Sequence, residues 1–207
     1  MSDYGTLQSG IADDLGRGDL TAQIAARIRS AIAFYENERF WFNEGRATAS
    51  TSIGQELYPL PEDCIRPERL ALAAGDGQEP LTRRANEDLD AIYSATAAQG
   101  RPRDWALLAN QIRLRPLPDA AYAMTLTYVR SLGALADPTD SNAWTVEGER
   151  LIRARAEWEL YQYVLRDDAM AAACKEAELE ALASLKRRTG AALAAGRLAV
   201  GPELAAR

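Results

Sequence analysis

The chain has 207 residues, a formal net charge of −6 and 47% hydrophobic residues. This composition excludes an intrinsically disordered protein, and a chain of this length can bury roughly 70% of its unfolded surface in one large core or two small ones. The acidic balance also argues against tight binding of nucleic acid, because such binding needs clustered lysine and arginine.

Residues 1–39 are predicted to form a pair of helices. The first helix has an apolar residue at every fourth position, at Leu7, Ile11 and Leu15. The glycines of "GRG" at 16–18 end that run, and Asp19 is placed to cap a second helix. The apolar stripe of the second helix is Leu20, Ile24, Ile28, Ala31 and Tyr35.

Three consecutive aromatic residues, Phe40, Trp41 and Phe42, begin a middle region that spans residues 40–136. If this piece is extended, Phe40 and Phe42 point to one face and Trp41 to the other. We expect the rings to seal the junction between a helical part and a strand-rich part, with one face covered by a loop or a neighbouring subunit.

The rest of the middle region is predicted to contain short strands and one helix. Proline-rich turns accompany two strand segments, residues 55–61 and 64–74, and a helix is predicted over residues 86–98. Two later segments alternate apolar and polar residues, with apolar positions at Ile112 and Leu114 and then at Met124, Leu126 and Tyr128. The turn-like "PLPD" between them predicts that they form an antiparallel pair with one buried face.

Residues 137–196 are predicted to be helical again, after a cap at Asp140, Ser141 or Asn142. Their first apolar row has the spacing of a packed helix: Leu151, Ala154, Trp158, Tyr161 and Leu165. A second row lies beside it: Ile152, Ala156 and Tyr163. The combined apolar arc is wider than one core contact requires, which predicts that part of it faces a neighbouring subunit.

The helix is expected to kink or restart at Asp167 and Asp168 and to end near Gly190. Its apolar positions are Met170, Cys174, Ala177, Ala181 and Leu185. Three carboxylates are interpreted as a solvated face: Glu176, Glu178 and Glu180. The basic residues 186–188 are placed at the negative end of the helix dipole, and residues 197–207 are predicted to be a flexible tail.

The sequence therefore predicts an α+β fold. The N-terminal helix pair and the long C-terminal helices form a helical bundle, into which a small antiparallel β-rich region is inserted. No stretch approaches the ~20 apolar residues of a membrane span, and the N-terminus has neither the basic start nor the apolar run of a secretory signal.

Residue types that carry catalysis or bind metals are scarce. The chain has no histidine, which excludes Ser-His-Asp and Cys-His nucleophile systems and histidine-based metal sites. Its two cysteines, Cys64 and Cys174, are far apart in sequence and are expected to be free thiols in a reducing compartment. We predict no catalytic, metal or cofactor-binding residue.

Two functional alternatives remain open at this stage. Glu36, Glu38 and Glu44 flank Trp41, and a carboxylate pair beside a tryptophan is also found in glycosidases, so a carboxylate-dependent hydrolase is one alternative. The short helix pair within residues 7–39 could instead belong to a helix-turn-helix regulator, although its second helix offers few base-reading side chains.

Several motifs in a fixed order resemble the head-to-tail adaptor (connector) family of tailed phages. They are the helix pair ending in "FWFN" at 40–43, "YPLP" at 58–61, "RPLPD" at 115–119, "SNAW" at 141–144 and the arginine-rich helix ending in "LRD" at 165–167. The resemblance covers residues 7–168 and extends to the tail accessory factors of short-tailed phages and the adaptor of gene transfer agents.

This resemblance implies a structural, non-enzymatic protein of the virion neck, made in the cytoplasm of a host bacterium. Such adaptors form a homo-oligomeric ring, usually a dodecamer, that binds the portal, extends the DNA channel and carries downstream tail or stopper proteins. DNA would pass without sequence-specific binding, and no membrane is involved. The residues expected at interfaces are Trp41, Leu151, Trp158, Tyr161, Leu165, Lys186, Arg187 and Arg188. The segment from Arg187 onward is expected to engage the portal.

Overall fold

The structure, a computed structural model, describes residues 2–93 and 98–198, and the chain divides into two compact units. Met1–Asn43 and Leu132–Arg207 form the helical unit, and Glu44–Ser131 form the strand unit. The helices are α1 (Tyr4–Leu15), α2 (Thr21–Tyr35), α3 (Asn86–Ile92), α4 (Ala143–Val146), α5 (Glu149–Leu160) and α6 (Asp168–Leu198). The strands are β1 (Glu44–Ser50), β2 (Leu57–Pro59), β3 (Cys64–Ala74), β4 (Gly77–Pro80), β5 (Thr82–Arg83), β6 (Asp104–Leu108), β7 (Gln111–Arg115) and β8 (Ala123–Arg130). The predicted α+β class is confirmed.

The first two helices begin and end where local chemistry requires it. The Asp3 side chain accepts a hydrogen bond from the Thr6 backbone N–H at 2.7 Å at the start of α1, and Gly16 ends that helix in the left-handed region with φ 61°. The predicted cap at Asp19 is wrong, because its carboxylate pairs with Arg17 and the residue before α2 is Leu20. The predicted apolar stripe of α2 is buried throughout.

Asn142 caps α4 with a capping box, in which its side chain accepts from the Trp144 N–H and Thr145 Oγ1 accepts from the Asn142 N–H. A π-helical segment, Tyr161–Leu165, follows α5, and Arg166 then reverses the chain with φ 56°. The predicted stop at Gly190 is wrong, because α6 continues to Leu198. Glycine lowers helix propensity by only about 1 kcal/mol, which a long helix tolerates. Of the predicted tail, residues 199–207 lie outside the described residues.

The core of the helical unit is built around α5, which packs against α2 on one side and α6 on another. Its largest fully buried side chains are Leu7, Ile11, Ile24, Ile28, Phe40, Trp144 and Leu151. Three assignments on α6 are wrong, since Met170 and Ala177 are exposed and Glu178 is fully buried. The buried positions of α6 are Ala171, Cys174, Glu178, Ala181, Leu185 and Thr189.

The aromatic triplet forms a 3-10 turn, Trp41–Asn43, and not an extended piece. The Asn43 amide fixes this turn by accepting from the Phe40 N–H and donating to the Glu38 carbonyl, both at 2.8 Å. The rings of Phe40 and Phe42 stack with centroids 5.3 Å apart, and each meets the edge of Trp144. The chain passes from the helical to the strand unit directly after this turn.

The strand unit contains two four-stranded sheets that enclose one apolar core. The strand orders are β1-β8-β3-β4 and β2-β7-β6-β5. The predicted pairing of the two alternating segments is wrong: β7 pairs with β2 and β6, whereas β8 pairs with β1 and β3. Alternation identifies the buried face of a strand but not its partner, and the apolar faces of both strands do line the same core. The helix predicted over residues 86–98 ends at Ile92, and residues 94–97 lie outside the described residues.

We predict that Gly45→Ala destabilises the strand unit. A Cβ at Gly45 would lie 2.7 Å from Cζ of Tyr128, whose hydroxyl is held by Asp63 at 2.9 Å. Overpacking of this kind typically costs about 1–3 kcal/mol of unfolding free energy. The matched control is Gly77→Ala, where the nearest atom is 3.8 Å away. Urea denaturation should show a loss for the first variant and almost none for the second; equal stabilities would contradict the prediction.

Candidate assembly surface of the helical unit

Two carboxylates are buried between helices in the helical unit, and both bind the same arginine. Glu159 on α5 is 4% exposed and Glu178 on α6 is 0% exposed. Arg155 donates from Nε to Glu159 at 3.1 Å and from Nη1 to Glu178 at 3.3 Å. A buried carboxylate is tolerated only with such partners, because desolvation would otherwise cost several kcal/mol.

Further donors complete the coordination of these carboxylates. The hydroxyl of Tyr35 and Nζ of Lys175 donate to Glu178, the latter at 2.8 Å. Burial alone would raise the pKa of Glu178, but these hydrogen bonds and the nearby Arg155 charge leave that pKa below its ordinary value. Burial and the Glu178 carboxylate raise the pKa of Tyr35 strongly, so its hydroxyl remains a donor.

Aromatic rings cover the same arginine on its outer side. The guanidinium carbon of Arg155 lies 4.0 Å from the ring centroid of Phe34 and 4.5 Å from that of Trp158. Tyr163 meets Trp158 edge to face at 5.8 Å. Phe34 is 56% exposed and Tyr163 57% exposed, which is unusual for such large apolar rings. We call Phe34, Trp158 and Tyr163 the aromatic patch.

A second cluster surrounds Trp41. Arg188 lies over the Trp41 ring at 4.4 Å and binds Glu147 at 2.6 Å, while Lys186 pairs with Glu38 at 3.2 Å. A cleft of about 220 Å³ lies next to this cluster. It is lined by Val146, Glu147, Glu149, Arg150, Leu151, Ala181, Ser184, Leu185 and Arg188. The basic residues of α6 are therefore joined to the N-terminal aromatic turn by ion pairs and a cation–π contact.

The residues expected at interfaces are distributed over three environments. Leu151 is fully buried in the core of its own unit, so its side chain is not available to a neighbouring subunit. Four others are partly buried: Trp41, Trp158, Tyr161 and Leu165. Three are exposed on α6, well before its end at Leu198 and therefore not at the negative end of the helix dipole, as predicted: Lys186, Arg187 and Arg188. The structure thus brings Trp41 and Arg188 together, and it places Trp158 in the separate aromatic patch.

Sequence reasoning missed the two buried carboxylates and the exposed Phe34. Glu178 was assigned to a solvated face, but it lies four residues after Cys174 and three before Ala181, within the buried stripe of α6. A charged residue at a position where the helical period requires an apolar one was the signal that could have revealed its burial. Phe34 offered none, because it lies outside the α2 stripe and only the fold shows that Arg155 lies beneath it.

Neither functional alternative gains support from this geometry. Arg188, not a carboxylate, contacts the ring of Trp41, and Glu38 is exposed and paired with Lys186. Within residues 2–93 and 98–198, no group of three or more acidic or cysteine side chains could hold a metal ion. On the second helix, Arg27 is paired with Glu159 at 3.4 Å within the helical unit.

A third charged cluster joins α1 to α5. Nε of Arg153 donates to Asp14 at 2.8 Å and to Glu157 at 3.1 Å, so two carboxylates meet at one nitrogen. Burial and the neighbouring Asp14 carboxylate raise the pKa of Glu157 to about 7, and the Arg153 charge opposes this only in part. Burial, with a smaller contribution from Glu157, raises the pKa of the Cys174 thiol to about 11, which makes that thiol a poor nucleophile at neutral pH.

Comparison with known proteins identifies one family. The family model described as SU10 adaptor protein matches residues 2–201, nearly the whole chain. No curated protein matches. In the parts of the chain that the structure describes, no helix has both the length and the apolar composition needed to cross a bilayer.

We predict that stability falls as pH rises from 5 to 8, and that Glu157 causes this. Its pKa is raised in the folded state, so its stabilising contribution is complete below the unfolded value near 4.5 and is lost as pH rises through about 7. After allowance for partial solvation the change should be about 2 kcal/mol. No histidine titrates in this window.

Urea denaturation at several pH values is the measurement, with Glu157→Gln expected to remove most of the slope. Glu176→Gln, on the exposed face of α6, is the control and should keep it. A wild-type profile that stays flat, or a Glu157→Gln profile that keeps the wild-type slope, would contradict the assignment.

Proposed function

Because the chain belongs to the SU10 adaptor protein family, a family of phage head-to-tail adaptors, we propose that it is a structural component of the virion neck and not an enzyme. Membership implies assembly with phage head and tail components. In the proposed role, copies of the chain form a ring beneath the portal, extend the DNA channel and present a platform for tail proteins.

The observation that carries this proposal is the aromatic patch. Tryptophan, tyrosine and arginine are the residue types that contribute most to binding at protein interfaces. Here two large rings, Phe34 and Tyr163, are more than half exposed. Phe34 packs on Arg155, which is fixed by buried carboxylates, and Tyr163 packs on Trp158, which contacts the same arginine. Rings held in place in this way lose little conformational freedom on association, so their burial would stabilise a contact.

We assign the aromatic patch to the contact between neighbouring copies. A ring requires a heterologous contact, in which two different surfaces of the same chain meet. Arg153 and Arg155 are two positions apart on α5, about 200° around the helix, so they point to nearly opposite faces. Arg153 binds α1, and Arg155 lies below the patch. The patch is thus separated from the α1 side of the unit, as a ring contact requires.

The segment that we propose for the portal begins at the basic residues of α6 and continues toward the C-terminus. Its basic residues 186–188 are exposed, and Arg188 also orders Trp41 and Glu147 beside the cleft. A basic, partly apolar surface would complement an acidic rim on the portal that also carries apolar side chains. Modest affinity at each site would be raised by repetition around a ring, because every further contact forms at high effective concentration.

The net charge of −6 suits a wall along which DNA must slide. Dense cationic side chains would bind phosphates and release counterions, which would retain the DNA. We therefore expect the chain to bind duplex DNA weakly and without sequence preference.

We predict that Phe34→Ala combined with Tyr163→Ala reduces ring formation at least about ten-fold, since removal of two interface anchors typically costs more than ~1.4 kcal/mol. Both side chains are largely exposed in the single chain, so folding should be nearly unchanged. Mass photometry and negative-stain microscopy, with and without portal rings, are the measurements.

The control for this pair is Ile53→Ala, which removes a residue of the strand unit that is 68% exposed. It should leave ring formation unchanged. Rings formed by the double variant as readily as by the wild type would exclude the aromatic patch from the subunit contact.

We predict that truncation after Gly190 weakens portal binding without preventing folding, because it removes the part of the proposed segment that follows the basic residues 186–188. The cut keeps Leu185 and Thr189, the last buried residues of the α6 stripe among those whose side chains are described. Circular dichroism should therefore show a folded protein, and co-sedimentation with portal rings should show weakened binding. Arg187→Glu should weaken binding without shortening α6, since it only reverses one exposed charge. Undiminished binding by the truncated chain would refute the assignment.

A further inference from the structure

An apolar cleft opens into the core of the strand unit. Its volume is about 260 Å³. Its lining residues come from both sheets and none carries a charge: Ala47, Thr48, Ala49, Pro59, Leu60, Pro61, Leu70, Ile112, Met124 and Leu126. Leu70, Ile112, Met124 and Leu126 are buried core residues. The cleft therefore gives access to the interior between the two sheets, from the side where β1 and β2 lie.

The sequence explains why this side of the sandwich is not closed. The residues of β1 that alternate toward the core are small: Gly45, Ala47 and Ala49. Opposite them, β2 has only three residues and continues into Leu60 and Pro61. Small side chains on one edge and a short strand on the other cannot fill the space between two sheets that are ~10 Å apart.

β1 is also an edge strand of its sheet. All seven residues of β1 pair with β8, from Glu44 opposite Val129 to Ser50 opposite Ala123. In the part of the chain that the structure describes, β8 is the only strand paired with β1. An edge strand presents unpaired N–H and C=O groups along its outer side.

Proteins commonly protect such edges with proline or with charges that point inward. The edge strands β2 and β4 each contain a proline, Pro59 and Pro80. The sequence of β1, "EGRATAS", has neither proline nor a charged residue among its cleft-lining positions. β1 carries Glu44 and Arg46, but neither lines the cleft, so β1 is an edge strand with no proline and no charge in the apolar cleft beside it.

The shape and charge of this site favour the binding of an extended polypeptide segment. A helix with side chains is ~10–12 Å wide and would not enter beside an edge strand into a sheet spacing of ~10 Å that is already partly filled. An added strand can bond to the free edge while every second side chain enters the cleft. Charge complementarity requires those side chains to be uncharged, because no lining residue could compensate an ion there.

We propose that β1 and the adjoining cleft form a docking groove for one extended, uncharged segment of a partner protein, which joins the sheet as an additional strand beside β1. Backbone hydrogen bonds to β1 supply the affinity, and apolar side chains at alternate positions supply the specificity. This site lies in the strand unit and is separate from the proposed ring and portal contacts of the helical unit, so it does not depend on them.

The probe is a short synthetic peptide with valine at alternate positions, threonine between them and lysine at both ends. Titration into the isotope-labelled full chain, followed by amide chemical shifts and hydrogen exchange, should give saturable changes and slower exchange at residues 44–50. The same peptide with glutamate in place of valine should not bind. Shifts that are absent, or that arise mainly outside β1 and the cleft, would overturn the proposal.

Two variants of the chain sharpen the test. Ala47→Glu places a charge in the cleft and should weaken peptide binding about ten-fold or more. Arg46→Glu, on the exposed opposite face of β1, should have almost no effect. Amide spectra verify that both variants are folded. Equal binding by Ala47→Glu and wild type would refute the groove, and wild-type self-association that Ala47→Glu abolishes would make a second copy the occupant and overturn the assignment to a separate partner.

Discussion

The helical unit depends on one guanidinium group that is shared by two buried carboxylates, each of which has a second cationic partner, Arg27 or Lys175. Arg155 binds Glu159 on its own helix and Glu178 on α6, while Tyr35 and Ser30 bring α2 to the same carboxylates. Because an uncompensated buried charge costs several kcal/mol, the three helices are strongly favoured in the one register that satisfies all of these bonds. The outer side of Arg155 carries Phe34 and Trp158. The buried ion pairs therefore fix the guanidinium on which Phe34 and Trp158 pack.

Sequence patterns predicted the helices of this unit better than they predicted its buried ion pairs. The stripe of α2 and the cap at Asn142 follow from local spacing and hydrogen bonding, which the sequence displays directly. The burial of Glu178 does not, because it depends on contacts with distant residues such as Tyr35. The continuation of α6 beyond Gly190 was missed because one glycine lowers helix propensity too little to end a long helix. From the sequence alone, a carboxylate within an apolar stripe is predicted to be exposed, because the distant partners that would stabilise its burial cannot be identified.

The strand unit shows a different limit of sequence reasoning. The prediction of a strand over residues 64–74 agrees with β3, and the buried faces of β7 and β8 were identified from alternation. Their partners were not, because strands that face each other across a core and strands paired in one sheet show the same period. β1 was missed because "EGRATAS" has one β-branched residue and no aromatic one, so its pairing is set by β8. The candidate groove therefore could not be predicted from the sequence, because it depends on the small side chains of a strand that was not predicted.

The chain connectivity explains how the two units can serve different contacts. Residues from both ends of the chain form the helical core, in which α1 and α2 pack against α5. The strand unit leaves that core at Glu44 and returns to it after Ser131, and Glu44 lies opposite Val129 in the β1–β8 ladder. An insertion whose ends are adjacent places little constraint on the segment between them, which is why insertions of this kind are tolerated. Changes on the β1 edge can therefore alter what the strand unit binds while the Arg155 network, made only of residues outside 44–131, remains unchanged.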